Sequence, residues 1–336
     1  METQADVLRR VDEQARRVLR TGEDADVRAL IRMYDDAIAA IQAEVERTWQ
    51  RMMDTAPDDP RMRFLDWKHS RETHLMSQVE HRLEQLRGNA TATLRAGMLN
   101  LYEDQFAWDA YALDEATPPS ITVTTRGLTP SAAESITAKP WGGAMFSDRV
   151  WVVTGDMVNE IQNALSVSAL NGESVDEAVR RLRNLKVLDG NVPPRYALER
   201  LARTELLKAM DRAREALYAE NENVVDGEDV LATLDDRTCE ICAPIDGLEL
   251  ESQEVQDHLD VMDAEDRPPF HPNCRCTTIP RVASWNSLLG TDELPEDLSD
   301  FNPTERVIRG PDGKSTFAPR QSFGQWVQAH HGRLAA

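Results

Sequence analysis

Leu234-Asp235-Asp236-Arg237-Thr238-Cys239-Glu240-Ile241-Cys242 and, with 28 residues between Cys242 and His271, His271-Pro272-Asn273-Cys274-Arg275-Cys276 hold all four cysteines of a 336-residue chain. Two short-spaced donor pairs separated by a loop supply a tetrahedral zinc ion with little ordering cost. The Cys239-x-x-Cys242 turn offers two sulfurs to one metal, and His271 with Cys274, also two residues apart, offers the second pair. Cys276 is a fifth candidate. If Cys274 to Cys276 is extended, both sulfurs point to one face, and Cys274 plus Cys276 replaces His271 plus Cys274. The expectation is a structural zinc held by four of Cys239, Cys242, His271, Cys274 and Cys276, about one ion per chain.

Competing chemistries fit less well. A disulfide framework is disfavoured in a reducing compartment. A thioredoxin-like pair needs a βαβ setting that the flanks lack. A catalytic zinc keeps an open position for water, and the deaminase signature is missed because Asn273 stands where its glutamate belongs and the Cys-x-x-Cys comes first. Around the donors, Asp235, Asp236, Asp246 and Gly247 are turn formers, apolar content is low, and Pro268-Pro269 fixes the entry to the second pair. A zinc ion supplies on the order of 10 kcal/mol to such a segment, so about 235–280 reads as a metal-stapled module.

Charge concentrates in the same place. The chain carries 59 acidic and 38 basic residues, a net charge of −21. From Arg203 to Cys276 there are 20 acidic and 7 basic residues, a balance of −13. Such a surface does not suit general phosphate binding, which needs clustered Lys and Arg. The leading candidate for a basic face is Arg180, Arg181, Arg183 and Lys186, which on the capped helix reads equally well as a solvated edge. No apolar run approaches the roughly 20 residues of a membrane-spanning helix, and Met1 to Arg20 is charged and amphipathic without a secretion-signal centre. A soluble protein made in a cytoplasm is expected.

Upstream, Tyr34, Ile38, Ile41, Val45 and Met52, with Thr48 filling the missing turn, mark a helical seam over Val27 to Met52, roughly 40 Å long. Pro57-Asp58-Asp59-Pro60 breaks it. A second seam runs through Leu75, Val79, Leu83, Leu86, Ala90, Leu94, Met98 and Leu101. Together they predict a long antiparallel helical hairpin over 1–118, with Met1 to Arg20 as a shorter helix beside it.

After Pro118-Pro119, Ile121 to Thr125 reads as a short β segment and Gly127 to Gly143 as a loop with a Lys139-Pro140-Trp141-Gly142-Gly143 turn. A helix over about Met157 to Leu170 stops at Asn171-Gly172 as a left-handed cap would stop it. The next opens with Ser174 and Glu177, spaced as a capping box. Pro193-Pro194 starts a helix to about Glu220 with the apolar stripe Leu198, Ala202, Leu206, Ala209, Ala213 and Leu217. Arg203 and Glu205 flank that stripe and, two apart, cannot face each other as an acid/base pair; Glu199 to Arg203 is the expected ion pair. Asp229 to Leu234 reads as a strand. Residues 283–336 read as an irregular tail with a Gly310-Pro311-Asp312-Gly313 turn and an aromatic clasp over Phe317 to Val327. The fold class is mainly α with a few short strands.

Ala202-Arg203-Thr204-Glu205, Leu234 to Cys242, Ile245-Asp246-Gly247 and Pro268-Pro269-Phe270-His271-Pro272-Asn273-Cys274-Arg275-Cys276 resemble, in order and approximate spacing, the Mu F-like minor head protein domain of tailed bacteriophages. So does the layout before them, an aromatic loop from Trp141 to Trp151 and two helices separated by Asn171-Gly172. The resemblance covers about Ser120 to Val282, a module of 119–282, with Arg203, Thr204, Glu205, Asp235 and Asp236 as its structural motif. It implies a phage or prophage head-morphogenesis protein in few copies at the portal vertex of the virion. It would be assembled in the host cytoplasm and act in capsid assembly, DNA packaging or delivery, not in turnover. Some relatives carry an extra toxin or ADP-ribosyltransferase domain; here 60 residues follow Cys276. The −13 balance favours protein partners, the portal and with it the major capsid or scaffolding protein, and leaves DNA contact open. Two other readings are a zinc- or NAD-dependent, toxin-like enzyme and an acidic DNA mimic.

Overall fold

Helical spacing of apolar residues organises the N-terminal third. In the computed structural model, which describes residues 4–55, 65, 67–118, 121–126, 129, 136, 145–188, 191–235, 237–290, 305–309, 315–319 and 322–334, the first helix, α1, is Gln4–Thr55, 52 residues and about 78 Å long. The expected separate helix over Met1 to Arg20 is instead continuous with the rest. Buried Val11, Ala15, Leu19, Val27 and Leu30 carry one seam past Gly22. A side chain at Gly22 would start 3.5 Å from Leu101, an ordinary van der Waals contact, so the position faces the neighbouring helix. The ~1 kcal/mol helix penalty of one glycine is outweighed by burial on both sides.

A π-helical turn, Trp67–Arg71, leads into α2, Glu72–Ala116. Its seam residues Leu75, Val79, Leu83, Leu86, Ala90, Leu94, Met98 and Leu101 are all buried. Gln4 donates to the carbonyl of Ala116 at 3.0 Å, Gly22 lies against Leu101, and Thr93 Oγ1 is 3.8 Å from the Met33 sulfur. Residue numbers rise on one helix as they fall on the other, the antiparallel hairpin the seams predict. The Pro57-Asp58-Asp59-Pro60 break lies outside the described residues.

Contacts divide the chain into two compact units, Met1–Glu23 with Gly97–Lys139 and Thr204–Ala336, and Asp24–Ala96 with Pro140–Arg203. Each takes part of the N-terminal hairpin and part of the following sequence, unlike the consecutive stretches 1–118, 119–282 and 283–336.

In the second unit, α3 is Phe146–Asn171 and ends on Gly172 at φ 67°, the left-handed cap expected. It starts earlier than Met157: Phe146, Val150, Val153 and Met157 are buried at helical spacing, a pattern masked in the sequence by exposed Trp151 and Val152. The aromatic loop is therefore helical from Phe146; the Lys139-Pro140-Trp141-Gly142-Gly143 turn lies outside the described residues. Helix α4, Val175–Arg183, opens with the complete Ser174–Glu177 capping box.

Helix α5, Pro194–Glu220, buries the predicted stripe. In the first unit, Ile121 to Thr125 forms no strand. The amide and carbonyl of Thr124 are taken by the Asn221 side chain, at 2.7 and 2.9 Å, so one amide group fills the place of a neighbouring strand. Strand β1, Val225–Leu231, starts and ends earlier than the Asp229 to Leu234 reading and pairs antiparallel with β2, Thr277–Val282. Helix α6, Gln253–Val261, lies within the loop between them, and α7, Trp285–Leu289, follows β2.

The 283–336 stretch is more regular than expected. An antiparallel pair, β3 Glu305–Arg309 and β4 Ser315–Pro319, precedes α8, Phe323–Leu334. The Gly310 to Gly313 turn itself lies outside the described residues. The clasp is real at Phe323, stacked 3.6 Å from Trp108, and at buried Trp326, whose indole donates to Asp114 Oδ2 at 2.9 Å. The fold is mainly α with a few short strands.

Candidate metal centre

The β1–β2 ladder ends at the pair Leu231 and Thr277, so the chain leaving β1 and the chain entering β2 start side by side. The loop between them carries every donor. After Leu231 the backbone turns at Asp235: the Thr238 hydroxyl accepts from the Asp235 amide at 2.7 Å, and Asp235 Oδ1 accepts from the Arg237 amide at 2.9 Å. These side-chain-closed turns are what Asp and Thr do well. The Cys239 carbonyl then accepts from the Ala243 amide at 3.0 Å, folding Cys239 and Cys242 into a knuckle.

The second pair has an equally local cause. The Cys274 amide donates to the His271 carbonyl at 3.0 Å, with Asn273 at φ 65°. Proline second and a left-handed residue third is the pattern of a type II turn, and Asn tolerates that conformation better than most. His-Pro-Asn-Cys is thus a turn that sets an imidazole beside a thiol.

All five donors come together. Cys239, Cys242 and His271 form one triad and Cys242, Cys274 and Cys276 another, with ligand atoms within 4.8 Å of one another in each. Cys239 Sγ and Cys242 Sγ lie 3.1 and 3.2 Å from His271 Nε2, and the Cys242 and Cys274 sulfurs are 3.9 Å apart. At a Zn–S bond of ~2.3 Å a tetrahedron spaces its sulfurs by about 3.8 Å, so the donor chemistry and spacing fit zinc. The shared Cys242 belongs to both triads. His271 Nδ1 faces the Pro272 carbonyl at 2.9 Å; donation there makes Nδ1 the proton-bearing nitrogen of the neutral ring and turns Nε2, the atom a metal would take, toward the sulfurs.

Hydrogen bonds from the Cys242 and Cys276 thiols hold Cys274 well below the ordinary thiol range, and its own bond to Cys274 raises His271 to about 9. Donation to Cys274 pushes the Cys242 thiol up, so in the metal-free cluster the negative charge gathers on Cys274, and a bound cation has to displace protons from the other donors. Cys242, Cys274 and Cys276 are buried within an apolar cluster that includes Ile245, Leu250 and Phe270, which closes the site to water on that side.

A clamp joins the two donor segments. Arg275, between Cys274 and Cys276, meets Asp235 with two parallel hydrogen bonds of 2.5 and 2.6 Å, and its carbonyl accepts from the Thr233 hydroxyl at 3.1 Å. Asp235 is held below the usual carboxylate range, chiefly by Arg275. Asp236 lies outside the described residues. On the outside of the knuckle, His258 of α6 contacts the Ile241 carbonyl at 3.0 Å; neither α6 nor β2 carries a periodicity that marks it in the sequence.

The other singled-out residues lie elsewhere. Arg203 bonds Asp24 at 2.9 Å and Glu199 at 3.4 Å, the latter the predicted pair. Thr204 is buried, and Glu205 is fully buried 3.8 Å from Lys208 Nζ. Of the basic face, Arg181 is committed to Glu173 and to the Ser168 hydroxyl. Arg180, Arg181 and Lys186 line an open groove of about 630 Å³ together with Glu160, Glu173 and Glu177, so the cations are interleaved with carboxylates. Among the described residues no helix is long and apolar enough to cross a membrane.

Among known families, residues 159–279 match the family described as phage Mu protein F like protein. The match takes in both donor pairs and the Arg203-Thr204-Glu205 segment and begins inside α3, after the Trp141 to Trp151 stretch. Neither the curated proteins nor the solved structures include a significant match to the chain.

Proposed function

With a segment, 159–279, that belongs to the phage Mu protein F-like family as the starting point, we propose that the chain is a phage or prophage minor head protein acting in head morphogenesis. In this reading it works at the portal vertex, in assembly, DNA packaging or delivery, and ends up in the virion after assembly in the host cytoplasm. The observation that carries the proposal is the coincidence of the family segment with the Cys/His cluster. The cluster holds a structural zinc ion through four of its five donors, Cys242 among them. Bound zinc adds cross-linking free energy to a segment whose own apolar core is small.

Action by assembly agrees with how the charged residues are used. Arg203 and Glu205, the pair an enzyme reading would need, are each engaged in separate contacts. Partners are proteins: the portal, and beyond it the major capsid or scaffolding protein. The interleaved charges of the groove lined by Arg180, Arg181 and Lys186 do not favour a phosphate backbone.

The composition of purified heads tests the reading. The chain should sediment with portal-containing heads, in far fewer copies than the major capsid protein, and capture isolated portal rings. Its absence from heads, or a portal capture no better than that of an unrelated acidic protein, would contradict it. Deleting 1–118 is a poor test, because both compact units draw on that stretch and would lose packing together. Full-length chains with altered surface residues are the proper reagents.

A further inference from the structure

The segment returning from α6 to the second donor pair enters through Arg267, four residues before His271. Between them lie Pro268, Pro269 and Phe270, all buried. Proline fixes φ, so two successive prolines and a core aromatic make a short, stiff link. The positions of Arg267 and His271 are therefore linked through this short segment.

Arg267 is bound on both sides. Its guanidinium donates to Asp211 of α5, Nε to Oδ2 at 3.1 Å and Nη2 to Oδ1 at 3.4 Å. It also donates to Glu228 of β1, Nη1 to Oε1 and Nη2 to Oε2, both at 2.9 Å. Thr278 of β2 donates to Glu228 Oε2 at 2.5 Å. One turn along α5, Arg214 reaches Asp12 of α1 at 3.2 Å and Asp109 of α2 at 3.6 Å. Asp12 also holds Arg16 at 2.6 Å, and Gln105 donates to both oxygens of Asp109 at 2.9 Å. Asp12, Asp109, Asp211 and Arg214 are all buried. Four carboxylates and three guanidiniums thus form a ladder from the donor loop to α1 and α2, and withdrawing Arg267 takes from buried Asp211 the guanidinium that hydrogen-bonds it.

We infer that Arg267 is the positioning residue of the metal centre, and that through it metal occupancy is coupled to the packing of 4–23 against 97–116. The inference rests on the structural-metal reading above. Coupling of this kind is reciprocal: seating Arg267 orders His271 for the metal, and a bound metal holds Arg267 between Asp211 and Glu228.

The test uses the full-length reduced chain with Zn(II) and Co(II) as probes. Metal affinity is measured by competition with a chromophoric chelator, the Co(II) spectrum reports ligand geometry, and hydrogen exchange is followed in peptides from 4–23 and 97–116. In the native chain, chelation should speed exchange in both peptides. Arg267→Met should weaken zinc binding by about 10- to 100-fold, alter the Co(II) spectrum, and make exchange in these peptides insensitive to metal. Arg267→Lys, which keeps charge but not the two-sided fork, should fall between and covers the case of an unfolded Met variant. Arg281→Met, which removes the neighbouring pair with Glu249, should lower stability without changing metal affinity. Native affinity and an unchanged exchange response in a folded Arg267 variant would overturn the inference. A native chain that binds no zinc would instead overturn the metal reading on which it stands.

Discussion

At the level of single residues, Cys242 matters most because it is the donor common to both triads. Cys242→Ser should abolish zinc binding, whereas Cys276→Ser and His271→Ala should differ, since one of them removes the spare donor; zinc content by mass spectrometry separates them. Asp235→Asn should cost about 10- to 100-fold in metal affinity, because it breaks the clamp to Arg275 while touching no donor. A second residue-level expectation concerns acidity. Burial raises Asp109 to about 7, against the pull of Arg214 and Gln105. A carboxyl that holds its proton more tightly folded than unfolded contributes stability fully present below its unfolded value, near 4, and lost as pH rises to about 7. The loss amounts to about 4 kcal/mol across that range. Asp109→Asn should flatten the wild-type pH dependence of urea stability by that amount; identical slopes would refute the assignment. The donors were legible from spacing because Cys-x-x-Cys and His-x-x-Cys are local patterns. Arg267, Asp211 and Asp12 were not, since their partners lie up to hundreds of positions away and nothing in their neighbourhood marks them.

Elements show the same division between local and distant causes. The Asn171-Gly172 stop and the Ser174–Glu177 box could be read directly, since each is closed by hydrogen bonds within a few residues. Gly172→Ala should cost about 1 kcal/mol, from forcing a Cβ into the left-handed region, and Ser174→Ala a similar amount from the lost cap; thermal melts of both measure it. The continuity of α1 was not legible, because the stretch through Gly22 is held by burial against a helix some eighty residues further on, where Leu101 lies. The Ile121 to Thr125 strand failed for a related reason: extended backbone there is satisfied by Asn221. Nor was α8 legible, as its hold depends on Trp108 and Asp114 over two hundred residues earlier. Trp326→Ala should cost about 3–5 kcal/mol and release 323–334 to proteolysis; an unchanged digestion pattern would show that the helix is held by other means.

Across the whole molecule, two compact units share a helical hairpin, and one of them ends in a module whose loops converge on five soft donors. The family segment spans that convergence, and some of its carboxylates are built into it: Asp211, Glu228, Asp235 and Glu249 engage Arg267, Arg275 and Arg281, while the excess of acidic over basic residues stays uncompensated within the segment. The charge is in part scaffolding. The proposal that this scaffold serves assembly, and not turnover, turns on whether its metal is closed to water. X-ray absorption on zinc in the reduced full-length chain measures that directly. One zinc per chain is expected, with four protein donors at about 2.3 Å for sulfur and 2.0–2.1 Å for nitrogen and no oxygen. A chain without zinc, or a zinc with three protein donors and a water oxygen, would contradict it.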